Sequence, residues 1–307
     1  MRNLFILFII AIVVYSCTKD YDLQLESTQS RLVVDGTITN TKEPYMIFLT
    51  KSLAKMTFNA NENRANAEYI NDADIYITDI NESVTDTLVK YWSKKRFMPD
   101  NANNQFIDPS DSIYYYGQYQ TTKLKGIPGH TYSLTIKWQD QEYHAESYMP
   151  PVPPLDSVQF KFTEGAIGKP SYNIPLIYFK EPQNERNYYL FKTQAVYGWP
   201  YSILSDEYLK SYVNGLDVCK GVTPDYWVTN YPYDFLSDYY IEIHSITKEG
   251  YEYYKALIQQ FKTDGGGYSP SPASPPTNLD NGALGFFRAS AVNRVDFKRD
   301  ENHEWIW

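Results

Sequence analysis

Cysteine, histidine and basic residues are scarce in this chain of 307 residues. With two cysteines, Cys17 and Cys219, no disulfide framework can be built, so apolar cores must hold the fold together. Acidic side chains outnumber basic ones by 37 to 28, and the resulting net charge of −9 does not suit binding to a phosphate backbone. The composition therefore argues against nucleic acid as a partner.

Motifs that carry chemistry are missing as well. The four histidines, His130, His144, His244 and His303, are far apart and show no metal-ligand spacing, and there is no serine-nucleophile elbow. Cys219 has no adjacent histidine that would activate its thiol. We therefore expect no metal, no cofactor and no enzymatic activity.

A long apolar run occurs only at the start of the sequence, where Leu4–Tyr15 follows the positively charged Met1–Asn3. About a dozen residues are too few for a membrane-spanning helix, which needs roughly 20. Ser16 is a small residue directly before Cys17, as cleavage of a bacterial lipoprotein signal requires. We predict a signal peptide over residues 1–16 and a lipid such as palmitate on Cys17; an uncleaved anchor is the alternative.

The residues after the cysteine bear on where the protein is displayed. Lys19, Asp20 and Asp22 lie within five residues of Cys17, in a segment similar to the acidic export signal of surface lipoproteins in Bacteroidetes. Residues 17–30 are polar and lack periodicity, which is typical of a tether between lipid and fold. We expect a lipid-anchored protein of the outer membrane, exposed at the cell surface; an ordinary polar linker is the alternative.

Aromatic residues are abundant: they make up 17% of the chain, and 30 of them are tyrosines. Tyrosine favours strands, so a mainly β fold is expected. After signal removal about 290 residues remain, enough for two domains. Because a proline-rich segment cannot run through a sheet, we place a linker at 150–156, between an N-terminal domain (31–149) and a C-terminal domain (157–307).

Alternating apolar residues mark the strands. A hairpin is predicted from Leu32–Ile38 and Tyr45–Leu49, a second pair from Asp74–Ile80 and Thr87–Trp92, and a third strand and its return at Tyr132–Trp138 and Tyr143–Tyr148. The second half contains similar runs. Short strands with frequent turns predict two β-sandwich domains of immunoglobulin-like or transthyretin-like kind.

The C-terminal domain has two further features. Thr247 is placed as an N-cap before apolar residues at helical spacing, so a helix is expected near 248–262. Tyr197–Asp238 is expected to be a long, aromatic-rich loop insertion, in which four residues are candidate ligand or partner contacts: Trp199, Tyr201, Tyr226 and Trp227. The alternative is that these aromatic rings pack among themselves.

Three sequence runs carry a family resemblance. Ser245–Leu257, Gly265–Pro272 and Asn278–Phe287, together with Arg31–Gly36 and the proline-rich 148–156, resemble the signature of a Bacteroidetes lipoprotein family known as domain of unknown function 4249. Genes of that family tend to lie beside those of TonB-dependent outer-membrane receptors. The resemblance therefore implies an accessory role in transport, and it supplies no catalytic residues.

The leading hypothesis is a surface lipoprotein that partners a TonB-dependent transporter in substrate capture or gating. A peptide or a glycan is the ligand class that the aromatic residues favour. One alternative is a scaffold subunit of an outer-membrane complex that binds no ligand. A second is an extracellular hydrolase of glycans or peptides, whose carboxylate pair would come from loops that sequence spacing does not reveal.

Overall fold

The computed structural model of the protein describes residues 30–41, 43–53, 68–92, 116–164, 172–193, 201–218, 238–262, 274–299 and 305–306. These residues form a mainly β structure with one α-helix, α1 (Lys248–Lys262), and a 3-10 turn at Asp206–Tyr208. The strands are β1 (Leu32–Thr39), β2 (Met46–Lys51), β3 (Asp74–Asp79), β4 (Val84–Thr87), β5 (Val89–Lys90), β6 (Gln118–Gln120), β7 (Thr131–Trp138), β8 (Gln141–Tyr148), β9 (Leu155–Thr163), β10 (Tyr172–Lys180), β11 (Tyr188–Thr193), β12 (Tyr201–Ser205), β13 (Tyr212–Asp217), β14 (Asp238–Ile246), β15 (Leu284–Arg299) and β16 (Trp305–Ile306).

The described strands form three sheets. A nine-stranded sheet has the order β12-β11-β14-β15-β1-β2-β6-β5, with β16 paired to β15. A four-stranded sheet has the order β4-β3-β7-β8, and a three-stranded sheet has the order β13-β10-β9. Most neighbours are antiparallel, but β1 and β15 run parallel, which joins the beginning of the described chain to its end.

Strand β15 is the longest element, with 16 residues, and it passes through both halves of the nine-stranded sheet. Its first part, Leu284–Ser290, pairs with Val33–Thr39 of β1. Its second part, Ala291–Lys298, pairs with Ser245–Asp238 of β14. One strand therefore holds the N-terminal strands and the C-terminal strands in a single sheet.

Two clusters of buried apolar side chains lie on one face of the nine-stranded sheet. The first combines β1 and β2 with β3, β7 and β8, and it also includes Phe287, Ala289 and Ala291 of β15. The second combines β11 and β14 with β10 and β13, and it includes Phe297 at the other end of β15. Because side chains alternate along a strand, the residues between these positions lie on the opposite face, here called the outer face.

The residues between the two halves contact both clusters. Val152 packs against the first and the second cluster, and Asn293 Nδ2 of β15 donates a hydrogen bond to the carbonyl of Pro153 at 3.4 Å. The first cluster also takes Leu279 from the C-terminal half. The domain division at 150–156 stays a prediction, and on the described residues the first core draws on both sides of it.

Several predicted elements are confirmed. The first hairpin is antiparallel β1 and β2, and the pair Tyr132–Trp138 and Tyr143–Tyr148 is found as β7 and β8. The alternation of buried and exposed residues in β7 and β8 follows the apolar pattern. Helix α1 has its predicted bounds, and the Thr247 hydroxyl accepts a hydrogen bond from the Gly250 N–H at 3.2 Å, as an N-cap does.

The return strand predicted at Thr87–Trp92 was wrong. Val84–Thr87 pairs with β3, whereas Val89–Lys90 pairs with β6 in a different sheet. The change of sheet is fixed by Asp86, a fully buried carboxylate that accepts hydrogen bonds from the N–H groups of Thr122, Lys123 and Leu124 at 2.8–2.9 Å. Sequence alternation could not show that one apolar run is divided between two sheets.

The long loop expected over Tyr197–Asp238 is also corrected, because two strands lie within it. Strand β12 pairs with β11, and β13 pairs with β10, each at the edge of a different sheet. The pattern of β13 is obscured by Gly215, which has φ of +75°, near a register shift between Ile177 and Tyr178. Residues 219–237 lie outside the described part of the chain.

Candidate functional site

A group of polar side chains lies on the outer face of the nine-stranded sheet, where β11, β14 and β15 are neighbours. It is called the polar cluster here and consists of Lys192, Glu242, His244, Ser290 and Arg294. Register brings these residues together: Lys192 and Arg294 are directly opposite Glu242 on the two flanking strands. Cross-strand pairs of this kind place side chains within contact distance.

The polar cluster is a chain of hydrogen bonds that leads from solvent to the interior. Arg294 Nη1 donates to Glu242 Oε1 at 3.1 Å, and Glu242 Oε2 lies 3.0 Å from His244 Nε2. His244 Nδ1 lies 3.4 Å from Ser290 Oγ. The Arg294 side chain is 42% exposed, whereas Ser290 is fully buried.

Burial and neighbouring charges set the ionisation of the central pair. Burial lowers the pKa of His244 to about 4, with the nearby Arg288 guanidinium acting in the same direction, so the imidazole is neutral at pH 7. Burial alone would raise the pKa of Glu242, but the hydrogen bond from His244 and the positive charges of Lys192 and Arg294 overcome it and lower that pKa. Glu242 is therefore ionised beside a neutral histidine.

The ionisation states fix the tautomer of His244. An ionised carboxylate only accepts hydrogen bonds, so His244 Nε2 carries the proton and donates a hydrogen bond to Glu242. Nδ1 is then an acceptor, and the Ser290 hydroxyl donates to it. Every polar atom of this buried pair has a role, which is the condition under which buried polar groups stabilise a fold.

The order carboxylate, histidine and serine resembles that of a hydrolytic triad. In a triad the hydroxyl faces solvent, because it must reach the substrate carbonyl. Ser290 has no exposed surface, and His244 is only 4% exposed. The polar cluster therefore links strands β14 and β15 and does not present a nucleophile.

Helix α1 covers the outer face beside the polar cluster. The ring of Tyr251 lies 5.1 Å from that of Tyr188 on β11, and the ring of Tyr253 stacks on Phe286 of β15 at 4.9 Å. The next helix residue, Tyr254, lies 5.4 Å from the guanidinium of Arg288. Tyr251 and Tyr254 of the apolar stripe predicted for this helix thus contact the sheet, and Tyr253, which lies outside that stripe, contacts it as well.

A second surface feature is a set of exposed apolar side chains at the β5 end of the nine-stranded sheet, called the apolar edge here. Its members are Phe48, Tyr69, Val89, Tyr91 and Trp92, and each is 37% to 46% exposed. Tyr69 also makes an isolated bridge to Thr50 of β2. Large aromatic side chains grouped on a surface are typical of protein and ligand interfaces.

The predicted site residues fall mostly outside the described part of the chain. This holds for Cys17, Lys19, Asp20 and Asp22 near the start, and for Trp199, Tyr226 and Trp227. Tyr201 is described in its backbone and begins β12, opposite Lys192 of the polar cluster. These assignments stay predictions.

Sequence reasoning missed both the polar cluster and Arg288. A signal was present in the alternation of Ile241-Glu242-Ile243-His244, which puts two polar side chains on one face of a strand. The alternation in Arg288-Ala289-Ser290-Ala291 carries the same information. What sequence does not contain is the register that puts the two runs side by side.

Part of the sequence signature has a structural role. Asn278 binds both the N–H and the carbonyl of Phe287, at 3.0 and 2.7 Å, and also donates to the carbonyl of Glu146 in β8. Asp280 accepts from the N–H of His144 at 2.6 Å. The segment from Asn278 to Asp280 therefore fastens β8 to β15.

The described ranges contain neither a candidate metal site nor a candidate membrane-spanning helix. Within them, no group of three or more His, Cys, Asp or Glu side chains is placed to bind a metal ion. No helix in the described part of the chain has both the length and the apolar character needed to cross a membrane.

Comparison with known protein families identifies the chain. The family described as Domain of unknown function (DUF4249) matches residues 18–295, which is most of the chain, so the protein belongs to that family. The resemblance found in the sequence is therefore confirmed. A search of curated proteins gives no match.

Proposed function

We propose that the protein is a surface-exposed, lipid-anchored outer-membrane lipoprotein that serves a TonB-dependent transporter as an accessory subunit in substrate capture or gating. The observation that carries the proposal is the extent of the family match, which begins at residue 18, directly after Cys17. A family region that starts one residue after the first residue of the lipidated chain supports removal of residues 1–16. The link to the receptor comes from the gene neighbourhood that the family resemblance implies.

Two β-sandwich units of immunoglobulin-like or transthyretin-like kind are part of the proposal. Support comes from the two core clusters, each lying between the nine-stranded sheet and a smaller sheet. Facing sheets with a shared apolar core define a sandwich. Such scaffolds hold loops rigidly, which suits a binding role without catalysis.

Two surfaces are proposed as contacts. Trp199, Tyr201, Tyr226 and Trp227 are proposed to bind a peptide or glycan ligand, as their amphipathic rings favour. The apolar edge is proposed to contact the receptor, because its five exposed side chains come from β2, β5 and the segments beside them at one end of the largest sheet. Aromatic residues at the centre of an interface commonly carry most of the binding energy.

The test is a mild-detergent pull-down of the tagged, lipidated protein from its native outer membrane, followed by mass spectrometry. We expect a TonB-dependent receptor in near-equal amount. The control is Cys17→Ala, which removes the lipid and is expected to release the protein from the membrane. Recovery of the lipoprotein alone, or unchanged membrane retention of Cys17→Ala, contradicts the proposal.

Variants separate the two surfaces. Tyr91→Ala with Trp92→Ala is expected to reduce receptor recovery, whereas Trp199→Ala with Trp227→Ala is expected to weaken ligand binding and leave recovery unchanged. Tyr212→Ala is the matched control, because Tyr212 is equally exposed, at 46%, on β13 of another sheet. Equal effects of all three changes would argue against these contact surfaces.

A further inference from the structure

Two tyrosines lie on the solvent side of the three-stranded sheet β13-β10-β9, Tyr178 on β10 and Tyr212 on β13. Ile177, Phe179 and Val213 of the same strands are buried in the second core cluster. Because side chains alternate along a strand, Tyr178 and Tyr212 are directed away from that core. Tyr178 is half-buried and Tyr212 is 46% exposed, so a ligand reaches both from solvent.

Two irregularities of strand pairing meet beside Tyr178. Against β13 the pairing skips Gly215, and against β9 it skips Asp156. Each skipped residue is a β-bulge, which re-aims the side chains around it and is common beside active sites. Both flanks of the central strand are therefore reshaped at the same residue.

The bulge at Gly215 leaves room for Tyr178 to lie along the sheet. Gly215 has φ of +75°, and a Cβ built there would be 3.2 Å from the Tyr178 hydroxyl and 3.5 Å from the ring carbon Cζ. The same hydroxyl donates a hydrogen bond to Gln159 Oε1 on β9 at 2.9 Å. A ring held between these two contacts presents one face to solvent.

Tyr212 lies across the sheet in a similar way. Desolvation and a hydrogen bond with the Asp156 carboxylate raise the pKa of Tyr212. Asp156 is on β9, and β10 lies between β9 and β13. Neighbouring strands are about 5 Å apart, so this contact spans about 10 Å and the Tyr212 ring lies over β10.

We propose that this surface, called the tyrosine platform, binds a neutral oligosaccharide whose pyranose rings stack on the two tyrosine rings. The platform consists of Tyr178, Tyr212, Asp156, Gln159 and Asn214. A pyranose with equatorial substituents has flat faces of C–H groups, which the negative face of an aromatic ring attracts. The proposal goes beyond the role at the receptor, since stacking here involves neither a receptor nor a lipid anchor.

Polar side chains beside the rings match the hydroxyl groups of a sugar. Asp156 and Gln159 lie on β9, and Asn214 lies opposite Tyr178 on β13, so both flanks of the central strand carry them. All three are exposed. An amide supplies donors and an acceptor, and a carboxylate accepts several hydrogen bonds, as the hydroxyl groups of a sugar require.

Charge and shape narrow the ligand class. Asp156 and Asp217 on this side of the sheet outnumber Lys180, and the whole chain has a net charge of −9, so an anionic polysaccharide is repelled. Peptides that bind sheets usually add to an edge strand, whereas the two rings lie over the central strand. A β-linked glycan is a flat ribbon, which suits two rings on one sheet surface.

The experiment is isothermal titration calorimetry of the full-length protein in a detergent without a sugar head group. The probes are three neutral β-linked hexasaccharides: cellohexaose, mannohexaose and xylohexaose. Maltohexaose has the glucose units of cellohexaose in a curved α-linked chain, and hexaproline is a peptide of extended shape. We expect saturable binding of at least one β-linked probe, and affinities at least about fivefold lower for maltohexaose and hexaproline.

Variants locate the bound glycan. Tyr212→Ala removes one stacking ring and is expected to lower the affinity for the β-linked probe at least about tenfold. Tyr148→Ala is the matched control, because Tyr148 is 43% exposed on β8 of another sheet, and it is expected to bind as the wild type does. The platform is a second site, so Trp199→Ala with Trp227→Ala is also expected to leave this affinity unchanged.

Four results would overturn the proposal. The first is an absence of saturable binding of all three β-linked probes to the wild type. The second is binding of maltohexaose or hexaproline that equals or exceeds that of every β-linked probe. The third is undiminished binding by Tyr212→Ala, and the fourth is loss of binding in the variant of Trp199 and Trp227 alone, which would place the glycan there. A pull-down that recovers no receptor contradicts only the role at the transporter, so the two failures are distinguishable.

Discussion

At the scale of the residue, His244 makes the stability of the protein depend on pH. Its pKa is about 4 in the folded state, below the ordinary value of 6.5. Between these values the unfolded chain binds a proton that the folded chain does not, so stability falls as pH drops through this window. Above pH 6.5 the group is neutral in both states and contributes no slope.

We predict that lowering the pH from 7 to 5 costs the wild type about 1–2 kcal/mol of unfolding free energy through His244 alone. His244→Gln cannot titrate, so its stability should fall less over the same range, by about that amount. Urea denaturation at pH 7, 6 and 5 measures the difference. His144→Gln is the control, because His144 is 48% exposed and its contacts, with Glu142 at 3.7 Å and with the Thr135 hydroxyl at 3.3 Å, lie at the surface.

Parallel pH profiles for the wild type and His244→Gln would contradict the burial argument for this histidine. Below about pH 4.5 a second loss of unfolding free energy is expected. The pKa of Glu242 is lower in the folded state than in the unfolded chain, so the unfolded chain binds a proton there first as the pH falls. Both groups act in the same direction. The polar cluster therefore makes the fold sensitive to acid.

Strand register limits how much of these sites the sequence could predict. The identity of Glu242 and His244 as alternate residues of one strand was visible, and so was the alternation of Arg288 with Ser290. The contact between the two strands was not visible, because residues such as Glu242 and Arg294 are 52 positions apart in the sequence. Side-chain pairing across strands depends on tertiary contacts that no local pattern encodes.

At the scale of the element, Gly285 lets β15 lie against β1. It has φ of +90°, and a Cβ built there would be 1.9 Å from the carbonyl oxygen of Val34. That distance is far below van der Waals contact, and the obstacle is backbone and not a movable side chain. Close approach of two backbones requires glycine at this position.

We predict that Gly285→Ala lowers the unfolding free energy by more than about 3 kcal/mol, or prevents folding. Gly282→Ala is the matched control: Gly282 also has positive φ, at +76°, but a Cβ there meets nothing within 4 Å. It should cost only about 1 kcal/mol of backbone strain. Urea denaturation of both variants gives the comparison, and equal losses would show that the clash with Val34 is relieved.

Elements with strong local signals were predictable, and edge strands were not. The Thr247 cap predicted the start of α1 and the apolar alternation predicted β7, because each signal lies within a few residues. Strands β12 and β13 each complete a sheet edge next to prolines and Gly215, so their propensity is weak. There the pairing partner, and not the segment itself, determines the structure.

At the scale of the whole molecule, β15 couples the two halves of the chain. Seven residue pairs join it to β1, from Val33 with Leu284 to Thr39 with Ser290. The fully buried side chains of Phe287, Ala289 and Ala291 belong to the first core cluster. The N-terminal strands therefore depend on residues that are synthesised about 250 positions later.

This dependence predicts the behaviour of fragments. A fragment of residues 17–149 lacks β15, so the N–H and carbonyl groups of β1 lose one set of partners and its core loses Phe287. We expect it to be unfolded, with no cooperative transition by circular dichroism. Joining residues 274–292 to it through a flexible linker should restore a cooperative transition, because that segment supplies both the strand and the clamp at Asn278.

The matched control for the fused fragment is Phe287→Asp, which keeps the strand backbone but places a carboxylate in the first core. That variant should be as unfolded as the fragment without the added segment.

Because Val152 contacts both cores, the full-length chain is expected to unfold in one transition instead of two. A fragment of residues 17–149 that folds cooperatively by itself would show that the first core is complete without β15, and that the halves are independent domains.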